Sequence, residues 1–482
     1  MPKISTSSWR VAVSLALLIG FSLVATEAHA QKLSIQGDRF AVDGEPRFLT
    51  FISMFGVMAA PNINADLHTI KTLGFDGFRI WPNIDTGPQI FNADGTVRPA
   101  ELERLRSILD QARRERLIVD VSFTFEHTPG LTAGRVRQGI LAVTDALRTY
   151  DNVLFDIQNE RNVGDRRFMS EADVQSIFAG IKSVDPARIT TASNSPVDTP
   201  EYAADFAGRL GLDVTAYHEP RMSRWYWLSS METVVRAMKS TGRPAYLQES
   251  MPTRDNLFPY PAHDRAEYFM QGIAHAKLSG AAAWCFHTDV GTDYRDGGPA
   301  LLEDRLRSFP EPEWAFVNSL NARVILRASN GVNFLVAESG GGAGVRADRT
   351  AAGPGSWDVF GASALAGGPL IAGERIALSA ANGNYLMAVG GGGATLRATA
   401  QSAGSWESFR IEKPGGGVIR HGDAIALRAN DTPWYVTAES GGGGNVMVNA
   451  AARAAWETFT VLFVSPHSTD PQALRIDNRP QP

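Results

Sequence analysis

The chain has 482 residues, of which 44% are hydrophobic and 20% charged, with a formal net charge of -5. That length implies two or three domains, the apolar share excludes disorder as the main state, and the mild acidity argues against nucleic acid or an anionic membrane surface as chief partner. The one cysteine, Cys285, excludes an internal disulfide and a cysteine-based metal cluster.

The first thirty residues read as a cleaved signal peptide. Lys3 and Arg10 give a basic start, Val11–Val24 is almost wholly apolar, and Ala28-His29-Ala30 supplies a small-x-small cleavage pattern. The apolar run falls short of the ~20 residues that a membrane span needs. The expectation is an exported protein, secreted or periplasmic, and bacterial because it lacks disulfides.

Residues 31–318 alternate strand-like and helix-like segments. The strands are expected at Phe48–Val57, Gly77–Asn83, Leu117–Thr124, Val153–Glu160, Arg188–Asn194, Leu212–His218, Pro244–Glu249 and Ala281–His287. Helical periodicity appears in Asn64–Leu73, Glu101–Arg116, Val174–Val184 and Ala262–Leu278. Strict alternation implies parallel strands, and eight units at this length fit a (β/α)8 TIM barrel. A doubly wound sheet is the alternative, but the glycine-rich turn it wants after its first strand is missing.

Residues 319–466 repeat three times, before a tail at 467–482. The copies run Val324–Gly331, Gly340–Gly342 and Trp357–Phe360, then Ile376–Gly383, Gly390–Gly393 and Trp406–Phe409, then Ile425–Asp431, Gly441–Gly444 and Trp456–Phe459. Each reads as four short strands with turns at Asn-Gly and at the glycine clusters. Three such units make an all-β β-trefoil, whereas a propeller needs at least four blades.

In a barrel the active site lies at the C-terminal strand ends. The fourth strand ends in Gln158-Asn159-Glu160 and the seventh in Gln248-Glu249-Ser250. One strand-end glutamate is ordinarily a solvated loop residue. Two, on opposite sides of a closed barrel with an adjacent asparagine and the strand-end tryptophans Trp81 and Trp284, fit the acid/base and nucleophile pair of a retaining glycosidase.

Here the chain resembles a known group. Phe155–Glu160 looks like the fourth-strand Asn-Glu signature of clan A glycoside hydrolases, which include the family 5 cellulases and mannanases. Tyr246–Glu249 resembles their nucleophile segment, and Val42–Phe48 the approach to their first strand. The resemblance implies that Glu160 is the acid/base and Glu249 the nucleophile. It makes Asn159 a partner of the sugar 2-hydroxyl, Arg79 the group that keeps the nucleophile ionised, and Trp284 the aromatic floor, with Trp81 also on the substrate. The family's third-strand histidine and sixth-strand histidine-tyrosine group are offset here, to His127 and to Tyr217-His218. Which of Tyr217 and His218 faces inward stays open, and core packing is the alternative for Trp284.

Weaker constellations accompany these. His127, His218, His287 and Asp289 lack close metal-ligand spacing, so no metal and no cofactor is expected. Trp225, Tyr226 and Trp227 suit sugar stacking or burial equally. Tyr294–Pro299 suits a substrate-side loop or a plain turn. The repeats resemble fascin-like trefoils, some of which bind carbohydrate. Their Trp-x-x-Phe segments read as core. Glu338 and Glu439 precede their glycine clusters where the middle copy has Val389, so if those glutamates touch sugar the middle copy has lost its site. Trp434 and Tyr435 read as exposed aromatics. The expected whole is a monomeric retaining glycoside hydrolase acting on a β-linked polysaccharide, a β-glucan first, with a glycan-binding trefoil. A non-catalytic glycan-binding protein is the alternative.

Overall fold

The structure, a computed structural model, describes residues 31–84, 88–125, 128–219, 224–250, 266–287, 294, 297–309, 311–317, 319–352 and 357–464. The signal-peptide segment, His127, Asp289 and the 467–482 tail lie outside the described residues. Among the described residues no helix is long and apolar enough to cross a membrane.

The chain opens with a small antiparallel sheet of β1 (Leu33–Gln36), β2 (Arg39–Val42) and β3 (Glu45–Pro46). Eight parallel strands follow: β4 (Leu49–Met54), β5 (Gly77–Ile80), β6 (Ile118–Ser122), β7 (Val153–Asp156), β8 (Ile189–Thr191), β9 (Thr215–His218), β10 (Ala245–Glu249) and β11 (Ala283–Phe286). Each lies inside its expected segment. Pairing runs β8-β7-β6-β5-β4-β11-β10-β9. The two end strands meet where Asp213 N donates to Thr190 O at 3.0 Å and His218 N to Asn194 O at 2.9 Å, which brings the sheet round on itself.

Helices α1 (Ile63–Thr72), α2 (Pro99–Arg114), α3 (Ala133–Ala146), α4 (Glu171–Val184), α5 (Pro200–Leu210), α6 (Leu228–Met238), α7 (Ala266–Leu278), α8 (Leu302–Arg307) and α9 (Glu311–Val317) form the outer layer. Their starts are local chemistry. Thr132, Ser170 and Thr199 accept backbone N–H groups as N-caps, and Pro200 begins α5 with its φ preset. Gly211, at φ 73, ends α5 in the left-handed conformation.

Strand alternation sorts the barrel core. Leu49, Phe51, Ile118, Leu154, Ile189, Val214 and Tyr246 fill the lower interior, and Leu33, Phe40 and Val42 of the opening sheet close the bottom. Phe40 meets the Tyr246 ring edge-on at 6.4 Å. The opposite strand faces pack against the helices. Above this apolar floor the interior turns polar toward the strand ends, with Ser53, Arg79, Asp120 and Asp156 buried there.

The second domain contains β12 (Arg323–Arg327), β13 (Phe334–Ala337), β14 (Val345–Arg349), β15 (Phe360–Ala364), β16 (Arg375–Ser379), β17 (Tyr385–Ala388), β18 (Ala394–Ala400), β19 (Ser408–Glu412), β20 (Ala424–Ala429), β21 (Tyr435–Ala438), β22 (Val446–Ala450) and β23 (Phe459–Phe463), all antiparallel. Strands β12, β15, β16, β19, β20 and β23 pair in turn, and β23 returns to β12. Hairpins β13–β14, β17–β18 and β21–β22 project from that ring. Glycine loops pass from copy to copy: Gly342 N donates to Ala398 O, Gly393 N to Val448 O and Gly443 N back to Ala347 O, each at 2.6 Å. The Trp-x-x-Phe expectation is half corrected. Phe360, Phe409 and Phe459 are core, whereas Trp357, Trp406 and Trp456 are 41%, 47% and 50% exposed.

The two domains share a built interface. Lys277 of α7, 1% exposed, donates to Glu374 at 2.6 Å and to the Pro369 carbonyl at 2.9 Å. Phe48 N donates to Ala366 O at 2.8 Å. A Cβ on Gly367 would lie 2.2 Å from the Phe48 carbonyl oxygen, so only glycine permits this approach. A cavity of about 240 Å³ between the domains is lined by Arg47, Lys71, Asp76, Met270, Leu370 and Ile419, away from the strand ends that carry the two glutamates.

Candidate active site

Arg79 occupies the middle of the polar layer, fully buried. Ser53, Arg79 and Asp120 stand in register on three adjacent strands. The guanidinium donates from Nε to Ser122 at 2.7 Å, from Nη2 to Asn159 Oδ1 at 2.7 Å and Asp156 at 3.2 Å, and from Nη1 to Glu249 Oε1 at 2.8 Å. Burial pushes Asp120 up to about 6 although Arg79 is beside it. Three acids therefore share one guanidinium at the base of the site.

Glu249 reaches the mouth because β10 slips. Leu247 pairs with Tyr217 but Glu249 with His218, and the bulge lets both Gln248 and Glu249 serve the interior. Gln248 donates to Asp120 at 2.9 Å. Burial alone would raise the Glu249 carboxyl, but His218, His287 and Arg79 outweigh it and hold the group well below the usual carboxylate range.

Glu160 arrives by a different device. Strand β7 stops at Asp156, and Asp156 and Gln158 are buried; Asp156 binds Arg79 and Ser193. Glu160 then adopts φ 49, a left-handed conformation that costs a non-glycine residue about 1 kcal/mol or more. Its N–H donates to Ser193 Oγ at 2.9 Å and Arg161 N to Ser193 O at 3.1 Å, so the loop after β8 fixes the turn.

His218 joins the two glutamates. Its Nδ1 lies 3.1 Å from Glu160 Oε1 and 3.2 Å from Glu249 Oε2. Burial would depress this imidazole, but Glu249 and Glu160 overcome that and push it up to about 9. The nearest oxygens of Glu160 and Glu249 are within 4.8 Å of one another. His287 Nε2 is 3.5 Å from Glu249 Oε2, and its Nδ1 is 2.9 Å from Ser53 Oγ. Trp81 borders the same space, stacked on Phe55 at 4.6 Å, edge-on to His287 and beneath Arg79.

Glu160, Arg79, Asn159, His218, Glu249 and Trp81 thus converge. Two expected residues do not. Trp284 faces the helices, fully buried against Phe316 at 5.8 Å, because β11 turns Cys285 and His287 inward and so turns Trp284 and Phe286 outward. Tyr217 likewise faces outward, and its hydroxyl donates to Asp198 O at 3.0 Å. Burial also claims Trp225 and Tyr226: Trp225 packs on Phe269, and Tyr226 stacks on Tyr268 at 4.1 Å.

Arg167 is the main residue that sequence reasoning missed. From the loop after β7 its Nη1 donates to Glu160 Oε2, while Nε and Nη2 grip Asp165. Phe55 and Ser53 were missed as well. Glu160, His218 and Glu249 are spaced to hold a cation. However, Arg79 and Arg167 already supply positive charge to both carboxylates, which disfavours a further cation between them.

No known family pattern and no curated protein matches the chain. Among solved structures it is similar to a GH5_18 protein from Streptomyces cattleya in complex with GlcNAc, at 18% identity over 56% of this chain and 79% of that one, TM-score 0.42. It is also similar to a β-mannanase from the blue mussel Mytilus edulis, at 13% identity over 60% and 95% of the respective chains, TM-score 0.42. A protein described as a glycoside hydrolase aligns over 92% of this chain and 98% of its own, at 11% identity and TM-score 0.47. With likeness at that level, no role is carried over to this site from any of them.

Proposed function

We propose that the chain is an exported retaining glycoside hydrolase acting on a β-linked polysaccharide, a β-glucan first, by double displacement. The observation that carries this reading is the pair Glu160 and Glu249, their nearest oxygens within 4.8 Å across the barrel mouth. A retaining pair stands about 5–5.5 Å apart, whereas an inverting pair leaves about 6.5–9.5 Å for water. The two environments also differ. Glu249 is buried against Arg79, His218 and His287 and stays ionised as a nucleophile must, while Glu160 sits at the rim, 15% exposed.

In the first step Glu249 attacks the anomeric carbon as Glu160 gives its proton to the departing glycosidic oxygen. In the second, Glu160 takes a proton from water, which attacks that carbon and frees Glu249. Asn159, whose Oδ1 is held by Arg79, has its amide nitrogen for the sugar 2-hydroxyl. Trp81 and Phe55 would flank the ring in place of Trp284. The second domain is read as a fascin-like β-trefoil that holds the enzyme on the polymer.

The test is a pair of variants on an activated aryl β-glycoside. Glu249→Ala should lose turnover and regain it with azide, giving a product of inverted anomeric configuration. Glu160→Ala should keep turnover on this good leaving group and lose it on unactivated glycan. Identical behaviour of the two variants would overturn the assignment of roles. Full activity in both would place the chemistry on other residues, and no turnover by the wild type would favour the non-catalytic alternative.

A further inference from the structure

Trp357, Trp406 and Trp456 break the usual placement of tryptophan. At 41–50% exposure they are the most exposed tryptophans among the described residues, the others being buried or half-buried. Position in the repeat does not explain this, since the phenylalanine three residues on is core in every copy.

The backbone fixes each indole outward. The acid that follows each tryptophan is buried: Asp358, Glu407 and Glu457. Glu407 accepts from Gly404 N at 2.8 Å and Glu457 from Ala454 N at 2.9 Å, so the carboxylate clamps the turn just before the ring. The tryptophan carbonyls accept from Ala337, Ala388 and Ala438 at 2.8–3.0 Å. The pyrrole edge rests on a glycine: a Cβ added at Gly340, Gly391 or Gly441 would come within 3.1–3.4 Å of it. Those glycines have φ between 73 and 81 in the left-handed region, so a side chain there is strained as well as crowded. The ring is thus held along its pyrrole edge with about half of its surface exposed, and over Trp357 the Arg349 guanidinium lies 5.5 Å from the ring centroid.

The middle platform differs from the other two. Beside Gly341 and Gly442 stand Asn382 and Asn330, but beside Gly392 stands Trp434, with its Cδ1 2.4 Å from where a Cβ would be. Trp406 and Trp434 therefore flank one glycine loop, two indoles about adjacent glycines. We propose that Trp406 and Trp434 form the main sugar-binding site of the second domain, with Trp357 and Trp456 as single weaker platforms for the same polymer.

The ligand class follows from shape. Three separate flat apolar surfaces, one per repeat, do not make the contiguous patch that a protein partner needs. They suit a polymer that offers the same small apolar face many times, and the C–H face of a β-linked pyranose is such a face. This inference rests on the reading of the domain as glycan-binding. It places the main site in the middle copy, the one that would lack a site if Glu338 and Glu439 were the sugar contacts.

The test is depletion binding of the full chain on insoluble β-glucan and β-mannan. Trp406→Ala should weaken retention about tenfold and Trp357→Ala or Trp456→Ala about twofold, with the triple variant losing more than about a hundredfold as multivalency disappears. Trp406→Phe should keep most of the binding, as stacking requires and a purely structural role does not predict. All variants should keep turnover on soluble substrate, which also reports that they fold. A wild type retained on glycan with the triple variant retained equally would overturn the tryptophan assignment alone. A wild type retained on neither polymer would overturn the glycan-binding reading, and this inference with it.

Discussion

Arg79 donates to Glu249 across 2.8 Å, and neither side chain is more than 6% exposed. The same guanidinium touches Asp156 and lies 3.4 Å from Asp120, so its loss would strand three buried acids. Arg79→Ala should lower kcat/KM at least about a hundredfold and destabilise the fold by about 3–5 kcal/mol, the usual cost of breaking a buried pair. Arg79→Lys should rescue little, because an ammonium cannot reproduce the fork. A loss of only a few-fold, with an unchanged melting temperature, would mean that Glu249 does not depend on this contact.

The pH dependence has two limbs of known sign. Glu249 is held below its ordinary range, so its contribution to stability is present above about pH 4.3 and is lost as pH falls toward its folded value. His218 is pushed up to about 9, so its contribution is complete below about pH 6.5 and is lost as pH rises through 9. The melting temperature should therefore decline on the alkaline side near pH 9, together with kcat/KM on an aryl glycoside. In His218→Asn the alkaline decline in melting temperature should flatten. An unmoved alkaline limb would assign it to another group.

Arg167 should matter only when the leaving group is poor. It binds the Glu160 oxygen that His218 does not, and so orients the carboxyl toward the glycosidic bond. Arg167→Ala is expected to reduce kcat/KM about tenfold or more on unactivated oligosaccharide and much less on a dinitrophenyl glycoside, with Arg167→Lys between. Equal losses on both substrates would make Arg167 a structural residue only.

The barrel was legible because parallel strands buried on both faces leave continuous apolar runs, and because strand ends mark the mouth. Glu160 and Glu249 could be found that way, although their geometry could not. One depends on a left-handed residue after the strand and the other on a bulge, and neither leaves a mark on composition. Trp284 could have been placed correctly by counting back from His287 at a period of two. Arg167 had no such signal, since a loop arginine reaches its partner through tertiary folding alone. In the repeats, once-per-copy recurrence fits a core layer and an exposed platform equally, so recurrence could not sort Trp406 from Phe409.

The interface between the domains makes a separate prediction. Glu374→Ala leaves the Lys277 ammonium, 1% exposed, with only the Pro369 carbonyl. Because Glu374 is itself 24% exposed, the expected cost is about 1–2 kcal/mol, not the full penalty of a buried pair. Gly367→Ala, whose methyl would meet the Phe48 carbonyl, should be worse. Calorimetry should show one transition in the wild type splitting into two in Gly367→Ala. A single unshifted transition would mean that the domains melt independently of this contact.

The six-strand ring has a topological consequence. Its first and last strands are partners, with Val324 opposite Phe463, so the polypeptide enters and leaves the domain at neighbouring points. Each glycine loop clasps the next copy and the third clasps the first, which makes the order of the copies a matter of where the chain happens to be cut. Joining 323 to 464 through a short linker and reopening the chain at the Gly415–Gly417 turn should give a circular permutant with the same clasps. By the same geometry the whole domain could be spliced into a surface loop of an unrelated host without prising that host's strands apart.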